Sequence, residues 1–253
     1  MACTRPRFAL IEETPLPPHV QMALDEVLLE RLLSGERGPT ARFWGWTEPA
    51  LVIGSNQSVA NEVDLEAAER HGFTVTRRIS GGGTMVAQPG RTVTWSLYVP
   101  ASAVEGMSFA ESYGCLDAFA IERLRRLGVD AWHRPLNDIA APDGGKIAGA
   151  AQARRRHGVL HHTTLAWSLE NELVRELIRI GRPPLSERGV RSAEKPVSPL
   201  AALLPGLDRE QFVAELIDEL QGQPSALTDG EVDEAWTLAA AKYSRPEWIH
   251  RLG

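Results

Sequence analysis

Between Arg77 and Thr84 the chain reads Arg-Arg-Ile-Ser-Gly-Gly-Gly-Thr, which puts two guanidinium groups, a hydroxyl and three unbranched backbone units side by side. Glycine lacks a Cβ, so such a run can take positive φ and bring backbone amides within hydrogen-bonding distance of an anion or a carbonyl oxygen. The arginines add planar donor forks and fixed charge. A glycine triplet alone also suits a plain flexible turn. The functional reading gains from a second segment, Leu136-Asn137-Asp138 followed by Gly145-Lys146-Ile147-Ala148-Gly149-Ala150-Ala151-Gln152. Lys146 follows a Gly-Gly turn and precedes small residues that admit a ligand closely, so its ammonium could stabilise charge developing on a phosphate or carbonyl oxygen. The structural alternative is an exposed hairpin lysine. Asn137 and Asp138 offer an amide and a carboxylate that could take a nucleotide and Mg²⁺, or could simply form an Asx turn.

Other candidates carry less. His161 and His162 are adjacent within a β-type run, and adjacent strand residues point to opposite faces, so the two do not readily share one metal ion; His157 lies apart. Ser80 has no histidine near it in sequence and reads as a hydrogen-bond donor rather than a nucleophile. Of the two cysteines, Cys3 lies in the N-terminal tail and Cys115 falls mid-helix, where packing is the expected role. The pattern therefore favours binding and charge stabilisation without a covalent enzyme intermediate.

Positioning these groups requires strands that run into the loops. Phe73 to Arg78 reads as a strand entering the glycine loop, and β-type runs also cover 41–46, 50–54 and 92–99. A β-rich block spans 130–133, 138–141, 146–153 and 159–167, with a turn at Asp143-Gly144-Gly145. Helical periodicity covers 19–33, started by Pro17 and Pro18, and also 64–71, 108–127, 171–180, 208–221 and 230–242. Strands mixed with segregated helices predict an α+β architecture. The long irregular stretch from Gly181 to Pro199 reads as a functional loop within one domain spanning 1–253.

At 253 residues with 43% hydrophobic and 24% charged residues, composition is that of a globular chain with ample core. No apolar run reaches membrane-spanning length, and the N-terminus lacks the apolar segment of a secretion signal, so a cytoplasmic location is expected, without membrane partners. Two distant cysteines argue against a disulfide framework. A formal net charge of −6 argues against nucleic acid as a partner. Positive charge is local, at Arg77 with Arg78, at Arg154 to Arg156, and at Arg182, Arg188 and Arg191, which suits a small anion or an acidic protein.

Taken together these segments resemble the lipoate-protein ligases, whose superfamily includes biotin protein ligases and lipoyl or octanoyl transferases. The resemblance spans nearly the whole chain: Ile53-Gly54-Ser55-Asn56-Gln57 with Glu62, the Arg77-to-Gly83 run, Asn137-Asp138, Gly145 to Gln152, His162-Thr163-Thr164-Leu165, Gly189-Val190-Arg191-Ser192, and Tyr243 with Trp248. It implies mixed, mostly antiparallel sheets packed with helices. It implies that lipoate attacks the α-phosphate of ATP with Mg²⁺, and that the lipoyl group then passes to a lysine of a lipoyl domain of a 2-oxoacid dehydrogenase or of the glycine-cleavage H protein. By position, Lys146 is the catalytic cation. Arg78, Ser80, Gly81, Gly82, Gly83, Asn137, Asp138, Gly149, Ala150, His162 and Thr164 are the binding residues, with Asp138 as the metal ligand.

Three departures stand out. Ala87 and Gln88 replace the family's His-Asp pair, Arg91 follows Gly90 where an asparagine is common nearby, and the chain stops at Gly253 without the C-terminal accessory domain of many ligases, so a separate small accessory protein is a candidate partner. The resemblance keeps two rivals open. One is an octanoyl or lipoyl transferase working through a cysteine thioester, although the positions where such enzymes carry the cysteine hold Leu136-Asn137-Asp138 and Gly158-Val159-Leu160-His161. The other is a non-catalytic lipoyl-binding homologue.

Overall fold

Two sheets divide the strands of the computed structural model, which describes residues 5–12 and 15–253. In chain order the strands are β1 (Ala9–Glu12), β2 (Thr40–Trp44), β3 (Ala50–Ile53), β4 (Thr74–Arg77), β5 (Met85–Ala87), β6 (Thr92–Pro100), β7 (Trp132–Arg134), β8 (Asp138–Ala140), β9 (Lys146–Arg154), β10 (Gly158–Ala166) and β11 (Gln223–Ser225). The larger sheet runs β11-β1-β2-β6-β10-β9-β8-β7 and the smaller runs β4-β3-β5. In the larger sheet β1 pairs in parallel with β2 and β11, and every other pairing is antiparallel. This agrees with the mixed, mostly antiparallel α+β fold expected.

The helices are α1 (Pro18–Ser34), α2 (Val59–Glu62), α3 (Leu65–Arg70), α4 (Phe109–Leu116), α5 (Ala118–Arg126), α6 (Asn171–Leu177), α7 (Arg209–Leu220), α8 (Asp229–Leu238) and α9 (Pro246–Ile249). The central strand β6 is buried along nearly its whole length because both faces of the larger sheet are covered. Trp95, Leu97 and Val99 pack with Phe119 and Leu124 of α5 and with Phe212 and Leu216 of α7. Tyr98 packs with the apolar residues of α1 and with Ala235 of α8 on the other side. The small sheet has its own core, where Leu51 and Ile53 meet Ala67 and Ala68 of α3 and Leu177 of α6.

The helix expected over 108–127 is broken in two at Asp117 (φ −92°, ψ 2°). Its carboxylate turns into the sheet, where it accepts from Trp95 Nε1 at 3.3 Å and Thr163 Oγ1 at 2.8 Å and lies 2.9 Å from His161 Nε2. Short strands β1, β5 and β11 and the single-turn helix α2 carry no periodic signal long enough to read from sequence. The expectation of unpaired cysteines also fails, since Cys115 is disulfide-bonded and buried. Cys3 lies outside the described residues. Among the described residues no helix is long and apolar enough to cross a membrane.

Candidate active site

The β8–β9 hairpin brings Lys146 and Asp138 together. Its turn is tied by Gly145 N–H donating to Asp143 Oδ1 at 2.8 Å, and the register sets Asp138 opposite Gly149. Lys146 Nζ lies 3.2 Å from Asp138 Oδ1, and its side chain crosses Gly149 so closely that a Cβ there would sit 2.2 Å from Nζ. Only glycine leaves room for that path. Asp138 is fully buried, and its Oδ2 also meets Lys195 Nζ at 2.5 Å and Arg134 Nη2 at 3.1 Å. Burial alone would raise the Asp138 pKa, but the two ammonium groups hold it below the usual carboxylate range. Burial pushes the Lys146 pKa down against the pull of Asp138, and the neighbouring Lys195 charge pushes the same way as burial.

This environment does not fit the metal role expected for Asp138. Three cationic groups already surround the carboxylate, and no cluster of metal-ligating side chains occurs among the described residues. A divalent ion there would have to displace them against their charge.

The glycine loop is held from behind. Arg78 is buried, and its guanidinium donates from Nε to Ser80 Oγ at 2.9 Å, from Nη1 to Val52 O at 2.9 Å, and from Nη2 to Gly81 O and Gly83 O at 2.7 Å each. Gly82, between those two carbonyls, has φ +87°, a conformation that L side chains rarely adopt. Arg77, read from sequence as ligand-facing charge, is instead fully buried. It donates to the carbonyls of Gly54, Gln57 and Ile249, joining the turn that follows β3 to α9. Burial lowers the pKa of both arginines to about 10. The fork of Arg78 shapes the glycine loop, and that of Arg77 the turn beside it.

Sequence distance hid a further connection. His162 of β10 lies 2.6 Å from Ser80 Oγ through Nε2 and 2.7 Å from Asp25 Oδ2 of α1 through Nδ1. An ionised carboxylate only accepts, so Nδ1 carries the proton and Nε2 accepts from Ser80. Burial works against the charged form of Asp25, yet Arg42 (Nη2 at 2.6 Å), His162 and Tyr98 (Oη at 2.6 Å) hold its pKa well below the carboxylate range. Burial lowers the His162 pKa despite Asp25, keeping the imidazole neutral at neutral pH. The Ser-His-Asp order is that of a nucleophile, base and orienter. Ser80, however, is fully buried and also accepts from Arg78, so its hydroxyl locks the loop. His161 faces the opposite side of the sheet toward Asp117, as strand alternation predicts.

A cavity of about 400 Å³ lies between these groups, lined from both sheets, α1 and the segment 190–197. Arg78, Gly82, Gly83, Asn137, Lys146, Gly149, Ala150, His162 and Thr164 line it. Ser80, Gly81 and Asp138 sit behind that wall. Asn137 spends its amide on Ala150 O at 2.6 Å, fixing the hairpin. Ala87 and Gln88 do not line the cavity, so the missing His-Asp pair leaves no gap in it. Met22, Trp44, Val52, Met85 and Val86 are part of its apolar lining; the charged side chains of the wall are Arg78, Lys146, Arg191 and Lys195, and among the described residues no acidic one joins them. Sequence reasoning missed Asp25 and Lys195. Asp25 could have been suspected as the one carboxylate on the largely apolar buried face of α1, where Gln21 is the other polar residue.

Fold and site define a class: a two-sheet α+β domain whose pocket joins an apolar wall to a cationic end. The chain belongs to the lipoyl protein ligase A/B catalytic-domain family, whose model matches residues 17–221. It is 31% identical to the octanoyltransferase LipM of Geobacillus kaustophilus over 95% of this chain and 97% of the relative. It is 32% identical to LipM of Kyrpidia tusciae over 91% and 93%. Among solved structures it is similar to the bi-partite lipoate protein ligase of Thermoplasma acidophilum (TM-score 0.80, 20% identity, 97% of both chains) and to a lipoate-protein ligase A bound with ATP (TM-score 0.79, 22% identity, 97% and 99%).

Proposed function

We propose that this protein activates a medium-chain acid, lipoate or octanoate, with ATP and transfers the acyl group to a lysine of an acceptor protein. The observation that carries this reading is the pocket itself, in which an apolar wall meets four cations and, among the described residues, no acid. An acyl chain suits the first and a phosphate-linked carboxyl the second. In the first step a carboxylate oxygen attacks the α-phosphorus, forming the mixed anhydride and releasing pyrophosphate. In the second, the acceptor amine attacks the carbonyl carbon, AMP leaves, and the amine gives up a proton. Lys146 would stabilise the charge that develops on the phosphate or carbonyl oxygen, and Gly149 keeps its path clear. The loop of Gly82 and Gly83 would bound the acyl group, with the neutral imidazole of His162, both of whose nitrogens are engaged by Asp25 and Ser80, as part of the wall. Any Mg²⁺ would arrive on the nucleotide's phosphates rather than on Asp138.

Support also comes from similar folds described with lipoic acid bound, with ATP bound, or together with an E2 lipoyl domain. A lipoyl domain or H protein is the proposed acceptor, with or without a small accessory protein. A second reading, ATP-independent octanoyl transfer between carrier proteins, is favoured by the LipM relatives. Against it, Cys115 is buried, disulfide-bonded and absent from the pocket wall. The deciding test is ATP-dependent pyrophosphate release with lipoate or octanoate in the absence of acceptor, followed by mass spectrometry of an added lipoyl domain. Release with an acyl mass increment supports the ligase. An increment that needs octanoyl carrier protein and no ATP supports the transferase.

A further inference from the structure

The irregular segment that carries Lys195 is clasped across the pocket at both ends. At one end Ser192 N–H donates to Glu62 Oε1 at 2.9 Å, its hydroxyl donates to Glu62 Oε2, and Thr84 N–H donates to Ser192 Oγ at 2.8 Å, which ties the segment to the glycine loop. At the other end Lys146 N–H donates to Pro196 O at 2.8 Å and Ser198 N–H donates to Lys146 O at 2.9 Å, a parallel bridge to the first residue of β9. Ser192 and Pro196 are thus fixed on opposite sides of the polar end, and Lys195 has little freedom except at its side chain.

That side chain points at the same carboxylate as Lys146. The two ammonium groups take different oxygens of Asp138, at 2.5 Å and 3.2 Å, and each lysine side chain keeps about a third of its surface exposed toward the pocket (30% and 31%). With Arg134 on Oδ2, one negative charge faces three positive ones. A single acyl oxyanion needs one such donor, whereas a triphosphate that sheds pyrophosphate spreads its charge over oxygens several ångströms apart. We infer that Lys195 is a second catalytic cation, which leaves Asp138 to contact the phosphates of a nucleoside triphosphate while Lys146 holds the oxygens of the acyl-phosphate junction. This rests on the adenylating reading above and adds a residue to it.

The test uses the whole protein with Lys195→Gln and Lys195→Arg, measuring pyrophosphate release at varied ATP and varied octanoate or lipoate. Losing one charge-assisted contact should raise the KM for ATP by about tenfold or more, with the KM for the acid within about twofold. Lys195→Arg should recover most of the difference. Calorimetry with ATP alone should show the same loss of affinity without turnover, and a melting curve like that of the wild type excludes unfolding as its cause. Unchanged ATP parameters in Lys195→Gln, or equal loss for acid and nucleotide, overturn the assignment of Lys195 while leaving the ligase standing. Wild-type protein that neither binds ATP nor releases pyrophosphate overturns the ligase reading itself, and this inference with it.

Discussion

Asp25 of α1 and His162 of β10, 137 residues apart, are joined by a 2.7 Å hydrogen bond that fixes which imidazole nitrogen carries the proton. Asp25 also takes hydrogen bonds from Arg42, Ser96 and Tyr98, so it anchors a helix to three strands. Replacing it with alanine removes the carboxylate of a buried ion pair and should destabilise the protein by about 3–5 kcal/mol, read by urea unfolding. Asp25→Asn keeps the size but offers an amide donor to Nδ1, and nitrogen NMR shifts of His162 should show the proton moving to Nε2. An unaltered tautomer would count against the connection.

Stability should also respond to pH through this pair. The folded His162 pKa lies below its ordinary 6.5 and that of Asp25 below 3.8. As pH falls, the unfolded chain therefore takes up these protons first, and stability is lost. The melting temperature should decline as pH drops below about 6.5, with the Asp25 contribution entering only below about 3.8. His19 is likewise depressed by burial, so His162→Gln should shrink the upper limb without abolishing it. An unchanged limb in that variant would exclude His162 as its source.

Lys146→Ala should cut adenylate formation by about 10²–10³-fold. Asp138 keeps Lys195 and Arg134, so melting should change little. Gly149→Ala offers an independent approach, since the added methyl collides with the flexible tip of Lys146 rather than with backbone. It should fold normally and lose activity by moving the ammonium. Full activity in both variants would remove Lys146 from the chemistry.

Gly82→Val would place a branched side chain at φ +87°, with its Cβ 3.2 Å from Arg78 Nη2. Strain of about 1–3 kcal/mol is expected, together with loosening of the Gly81 and Gly83 carbonyls that Arg78 holds. Denaturant titration should register the first, and acid affinity measured by calorimetry the second. Normal affinity would mean that the loop is only a turn.

Much of this site could be read from local signals. The strand entering the glycine loop, the Asp143-Gly144-Gly145 turn and the hairpin that starts at Lys146 are each specified within a few residues, where propensity and turn chemistry act. The irregular run from Gly181 to Pro199 was legible as a loop, but not that its residues 190–197 land on the cavity wall. What escaped depends on tertiary pairing: Ser80 meets His162 across 82 residues, and Lys195 meets Asp138 across 57. Arg77 and Arg78 are identical in type and adjacent, and only the fold reveals that both hold backbone carbonyls. Asp117 interrupts an otherwise continuous helical pattern because the sheet beside it carries the donors its carboxylate needs.

The adjacent histidines of β10 carry a warning for any survey of variants. His161 grips Asp117 beneath one layer of helices and His162 grips Asp25 beneath the other, so each rivets β10 to a different side of the molecule. A screen scored on turnover alone would rank the two positions alike, although losing His161 only loosens the frame whereas losing His162 also removes part of the pocket wall. Only the surviving quantity of folded protein separates damage to the tool from damage to its handle.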